Sequence, residues 1–266
     1  MNASSNFLPL IHLVRLHYSV FFGKIRSLPP LIVWGIMLYL AYEPLPMNIV
    51  QGYLSTSIFL FFAMVWFGYL FLSDFDTTTE HLLITQVNSR LLCSVSKVLF
   101  LLAVLLAVSL VGSIFPIIID LSRGLRGLTQ IPYGISPADF LGGLILHFIT
   151  GSLGIAIAFL FQPNPYKSDN ITIVAALIMF ALTALIKHQV FPLDTPASYI
   201  LIIFTPLYEI LSFFGDSNTF TARYLALSAF YSFAYFCTAM VVGYWLYNKR
   251  VYGPRIAKVC QKLMTP

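Results

Sequence analysis

Four apolar stretches, Gly52 to Leu72, Val98 to Ile119, Phe140 to Phe161 and Tyr224 to Tyr247, run for 21 to 24 residues without an Asp, Glu, Lys or Arg. A helix needs about 20 predominantly apolar residues to cross a hydrocarbon core of about 30 Å, so each stretch is read as a membrane span. In lipid the backbone must satisfy its own polar groups, and runs of this length point to helices rather than barrel strands. Charged residues make up 9% of the 266 positions and hydrophobic ones 59%. Ordinary soluble domains carry about 25% charged residues, so too few charges remain here to cover a water-facing surface. The expected fold is all-α, a single polytopic transmembrane domain over residues 1–266.

Two further runs are shorter. Leu28 to Tyr42 opens on Pro29-Pro30, placed where a helix start lacks amide partners anyway, and Ile171 to Ile186 closes on Lys187-His188. Counting both gives six transmembrane helices. Ala197 to Phe214 is also apolar, but it is broken at Thr205-Pro206 and carries Glu209. A crossing there would make seven spans and separate the two basic termini. Read instead as a re-entrant or interfacial hairpin within an extracellular segment 188–222, it leaves eleven of the 15 Lys and Arg residues inside and four outside. That is a positive-inside bias, with both termini cytoplasmic at the plasma (inner) membrane. The formal net charge of +5 then reports topology, and no nucleic-acid partner is expected.

Residues 1–27 are expected to hold an interfacial helix, with Phe7, Leu10, Ile11, Val14, Tyr18 and Phe21 on one face and His12, Arg15 and Ser19 elsewhere. Residues 248–266 form a basic cytoplasmic tail. The fourth long stretch carries Gly142, Gly143, Gly151, Gly154 and Ala158, small residues that let helix backbones approach closely. Cys93, Cys237 and Cys260 form no CxxC pair and no zinc spacing, and are read as free thiols.

The most informative polar segment, residues 74–96, lies between the second and third spans and contains Asp76, Glu80, His81, Leu82, Leu83, Ser89 and Arg90. Thr77 and Glu80 have capping-box spacing, so a short helix is expected to start here. Leu82 and Leu83 give it an apolar knob, and Asn88, Ser89 and Arg90 end it before Lys97 enters the membrane. An element of this kind suits docking into another protein.

With this architecture, and with Glu80, Leu82-Leu83, Ser89 and Arg90 in that loop, the chain resembles the permease subunits of type-2 ATP-binding cassette exporters. It departs from their pattern at Gln86 to Asn88, where a proline is expected and none is present. The resemblance implies that residues 74–96 form a coupling helix seated in a separate ATPase subunit. Asp76, Glu80, His81, Leu82, Leu83, Ser89 and Arg90 would make the contact, with Glu80 and Arg90 as its polar groups. It further implies a second permease copy or paralogue, ATP and Mg bound by the partner ATPase, and a hydrophobic or amphipathic substrate such as a peptide, lipid or drug.

The sequence itself agrees that an ATPase would be a separate chain. A phosphate-cradling loop needs Gly-x-x-x-x-Gly-Lys-Ser/Thr. The only Gly-Lys pair is Gly23-Lys24, with Tyr18 at the first glycine position and Ile25 after the lysine. No cofactor, metal site or bond chemistry is therefore expected in this chain. His147 in the fourth span and Glu209 in the hairpin are candidate substrate-pathway groups, because ionisable residues are costly in hydrocarbon. Two alternatives remain. An intramembrane enzyme, a protease or a lipid-modifying one, would need a partner for Ser152 beyond His147 or His188, and a stand-alone secondary transporter or channel would carry inverted repeats or mid-membrane charges.

Overall fold

The computed structural model describes residues 4–24, 28–43, 48–74, 77–124, 135–162, 206–215 and 218–264, and all of the regular structure among them is helical. Side chains are described for these residues except 4–8, 77, 78, 81 and 250–264. Among the described residues eight helices follow in chain order: α1 Ser4–Phe22, α2 Leu28–Ala41, α3 Ile49–Ser73, α4 Thr77–Val87, α5 Arg90–Gly124, α6 Pro137–Leu160, α7 Leu207–Ser212 and α8 Ala222–Met264.

Four of them contain segments long and apolar enough to cross a membrane: α3, α5, α6 and residues Ala222–Lys249 of α8. These coincide with the four long apolar stretches, and the chain is a helical membrane protein. The expected span over Leu28 to Tyr42 is a helix of 14 residues, about 21 Å long, short of a full bilayer core. The expected span at residues 171–186, most of segment 188–222 and the end of the basic tail lie outside the described residues.

Local chemistry sets the helix starts. Asn48 caps α3 by accepting the Val50 amide at 3.0 Å. Ser136 and Asp139 form a reciprocal capping box at the head of α6, with Pro137 in its first turn. Ser89 accepts the Leu92 amide at 3.2 Å and starts α5 well before the apolar run itself begins. As a result α5 is 35 residues long and takes in Cys93 and Ser96, which the sequence had placed in a loop.

α6 and α3 form the centre. Of the apolar window of α6, 78% is buried inside the protein, against 17% for α8, which lies at the periphery. In lipid, apolar contact between helices gains little from water exclusion, so close approach and dispersion must hold the bundle. The glycines of α6 supply that approach. A Cβ at Gly154 would sit 2.5 Å from the Phe61 carbonyl oxygen on α3, and one at Gly151 would run into Leu105 Cδ1 on α5. Polar side chains add interhelical bonds. Tyr53 donates to the Ser113 carbonyl at 3.0 Å, and Ser152 meets Ser232 of α8 at 3.1 Å.

α1 packs on α3 and α5 through Leu13, His17 and Phe21, spaced one turn apart and all buried. This stripe differs from the expected apolar face, of which Ile11 and Tyr18 are exposed. The reason is polar complementarity: His17 bonds Ser96 at 2.9 Å and packs edge-on against Phe71 and Phe100, so a polar residue marks the protein-facing side.

Candidate functional site

α4 is an 11-residue helix outside the four apolar spans, placed between two of them. α4 begins at Thr77, where a helix start is expected, but the Glu80 carboxylate is turned to Lys97 and Tyr247 and does not close the expected capping box. Asn88 stops the helix by turning the backbone left-handed at a φ of 52°, a conformation that Asn tolerates better than most residues. Ser89 immediately caps α5, so the two helices meet at a sharp, locally determined corner.

Glu80 lies in the first turn of α4 and points inward. One carboxylate oxygen receives a hydrogen bond from Lys97 Nζ of α5 at 3.0 Å, and the other receives the Tyr247 hydroxyl of α8. The Lys97 ammonium also sits 5.9 Å from the centroid of the Tyr247 ring. The side chains of Lys97 and Glu80 are only 3% and 9% exposed, so each charge depends on the other for what water would otherwise supply. Around this triad Leu83 is buried in the main core, and Ile84 packs against Tyr247. One residue before Lys97, Ser96 bonds His17 of α1. Burial and the nearby Lys97 cation push the His17 imidazole down to about 4, which keeps it neutral. At the same end of the bundle Lys24 and Asp74 form an exposed ion pair at 2.5 Å between the residues that follow α1 and α3.

The outer face of this corner is different. Leu82 is 60% exposed, Leu91 is 59% exposed and Arg90 is exposed between them in sequence. The expected apolar knob is thus divided, with Leu83 facing in and Leu82 facing out, as adjacent helix positions 100° apart must. Glu80, expected as an outward polar contact, instead anchors the helix from beneath. Ser89 serves as a cap. Asp76 lies outside the described residues, as does the side chain of His81.

The two candidate pathway groups lie away from α4. His147 is fully buried in α6, where Thr56 of α3 meets its Nε2 at 3.0 Å and the Gly143 carbonyl meets its Nδ1 at 2.8 Å. Both ring nitrogens are thus engaged in packing two helices together. Glu209 sits half-buried in the short α7, which is anchored by buried Leu207 and Ile210. Gln51, in the first turn of α3, donates to the Gly215 carbonyl just beyond α7. Since α4 follows the far end of α3, a 25-residue helix, α7 and α4 lie at opposite ends of the bundle, about 37 Å apart along that helix. Ser152 and His147 have different partners, Ser152 bonding the Ile149 carbonyl and Ser232, so the structure does not join them as nucleophile and base. Among the described residues no group of three or more His, Cys, Asp or Glu is placed to hold a metal ion.

Sequence reasoning missed Lys97 and Tyr247. One signal was available for Lys97: an ammonium at the head of a long apolar run needs a counter-charge, and Glu80 is the acid nearest to it in sequence. The chain matches no family model, no curated protein and no solved structure.

Proposed function

We propose that this chain is the membrane-spanning permease subunit of an ATP-driven exporter, and that α4 is the element gripped by a separate ATPase. The observation that carries this reading is the attachment of α4 to both α5 and α8 through one buried carboxylate. A short helix outside the apolar spans, exposed on one face and locked by a charge pair on the other, is built to pass on displacement. Force applied at Leu82 and Arg90 reaches the start of α5 and the end of the α8 span through short, poorly compressible contacts. Each cycle of ATP binding would shift the bundle between two arrangements, and the chain itself would make and break no covalent bond.

In this reading the α4 end and both termini face the cytosol at the plasma (inner) membrane, and the α7 end faces outward. Six spans, an extracellular re-entrant segment and a second permease copy or paralogue complete the assembly. The substrate is hydrophobic or amphipathic, a peptide, lipid or drug, in keeping with spans lined by Phe and Tyr. ATP and Mg belong to the partner.

The test separates grip from transmission. Leu82→Asp, on the exposed face, is expected to abolish co-purification of the ATPase while the chain still folds and inserts. Tyr247→Phe, beneath the helix, is expected to keep the partner bound and to lower substrate-stimulated ATP turnover. An ATPase that binds and turns over equally with both variants would refute the assignment.

A further inference from the structure

The apolar stripe of α1 that the sequence assigns to lipid, Leu10, Ile11, Val14 and Tyr18, forms one wall of a cavity of about 790 Å³. The facing wall is a second helical stripe on α5, with Leu31 of α2 contributing to the lining. On α5, Ala103 and Ala107 stand one turn apart and are exposed toward this space, and their small side chains leave the gap between the helices open. The volume is that of an ordinary small-ligand pocket, and its walls are almost wholly hydrocarbon.

One group breaks that pattern. Arg15 is exposed and lies in the lining of the cavity. It takes part in neither of the two ion pairs formed among the described residues, Lys24–Asp74 and Lys97–Glu80. The sequence offers no local counter-charge either, because no Asp or Glu precedes Glu43. A guanidinium at an apolar cleft in a membrane protein matches a ligand with an anionic oxygen head and a hydrocarbon body.

We infer that this cavity is a binding site for one anionic membrane lipid, with its phosphate on Arg15 and an acyl chain between α1 and α5. The site orders α1 against the bundle, since the lipid chain fills space that helix side chains leave vacant. The inference rests on the membrane setting and the cavity alone, and it stands whether or not an ATPase grips α4.

The test uses the full chain, purified and stripped of lipid, with retained lipid counted by native mass spectrometry. Phosphatidylglycerol and phosphatidylcholine of identical acyl chains are the probes. A single interfacial cation gives an expected preference of about fivefold for phosphatidylglycerol. Arg15→Gln should remove the preference and weaken phosphatidylcholine binding less than phosphatidylglycerol binding, while Arg15→Lys retains the preference. Ala107→Phe should abolish binding of both lipids by filling the cavity.

Equal binding of the two lipids by the unaltered chain overturns the proposal, and so does a preference that survives Arg15→Gln. Displacement of the lipid by inorganic phosphate would show that the apolar walls contribute nothing, which also refutes it. Disulfide-linked dimers of Ala103→Cys would place a second copy of the chain in the cavity and refute it equally.

Discussion

Replacing Lys97 with Met should cost the fold about 3–5 kcal/mol, the usual penalty for removing one partner of a buried ion pair. The geometry supports the upper part of that range. At the 3.0 Å separation of Lys97 Nζ and Glu80 Oε1, Coulomb attraction at an effective dielectric of about 20 is roughly 5 kcal/mol before desolvation is subtracted. Both side chains are almost fully enclosed, so water cannot replace the lost ammonium, and Tyr247 alone is left to solvate the Glu80 carboxylate. Removing both charges, as Lys97→Met with Glu80→Leu, leaves no stranded ion, and the double variant should return to within about 1–2 kcal/mol of the parent. Reversible unfolding in mixed micelles with rising dodecyl sulfate, followed by circular dichroism, gives the four stabilities of the cycle. The expected coupling energy between the two sites is about 3 kcal/mol or more. A Lys97→Met variant within about 1 kcal/mol of the parent, or a double variant whose loss equals the sum of the singles, would refute the buried anchor.

Four further outcomes follow from the bundle. Gly154→Ala forces a Cβ against the Phe61 carbonyl and the Val65 amide, backbone atoms that cannot swing aside, and should destabilise the protein by about 1–3 kcal/mol in the same micelle assay. Gly35→Ala, with nothing within 4 Å of the added carbon, should instead be neutral or stabilise by up to about 1 kcal/mol. Ser136→Ala removes the acceptor for the Asp139 amide and one half of a capping box, and should cost about 1 kcal/mol. His17 gives a pH dependence. Its folded value is depressed from 6.5 to about 4, so below pH 6.5 the unfolded chain takes up a proton that the fold refuses. Stability should therefore fall as the pH drops from about 6.5 to about 4, by up to roughly 3 kcal/mol, and His17→Gln should flatten that part of the curve.

The sequence disclosed the four long spans because bilayer thickness sets their length, and a run such as Phe140 to Phe161 can do little else. It disclosed the break at Asn88-Ser89 because a left-handed stop and a serine cap are local and obey residue type. It did not disclose where Glu80 points. That direction depends on Lys97, 17 residues on, and on Tyr247, 167 residues on, and no pattern in the loop encodes either. The face of α1 was obscure for a different reason. In a soluble helix apolar residues mark the buried side, but in a membrane protein lipid-facing and protein-facing surfaces are both apolar. The side packed on protein is then marked by a polar residue with a partner, as His17 is by Ser96. Ile11 and Tyr18, expected on the lipid-facing stripe of an interfacial helix, line a cavity against α5 instead.

The central claim, that α4 is held by a nucleotide-hydrolysing partner, is tested most directly by a photo-crosslinking residue placed at position 82 in the native membrane, with position 208 on the exposed face of α7 as control. A covalent adduct that forms at position 82 but not at 208, and whose captured protein is labelled by a photoreactive ATP analogue, is the predicted result. Irradiation that yields no ATP-binding adduct at position 82, with or without added nucleotide, would contradict the claim.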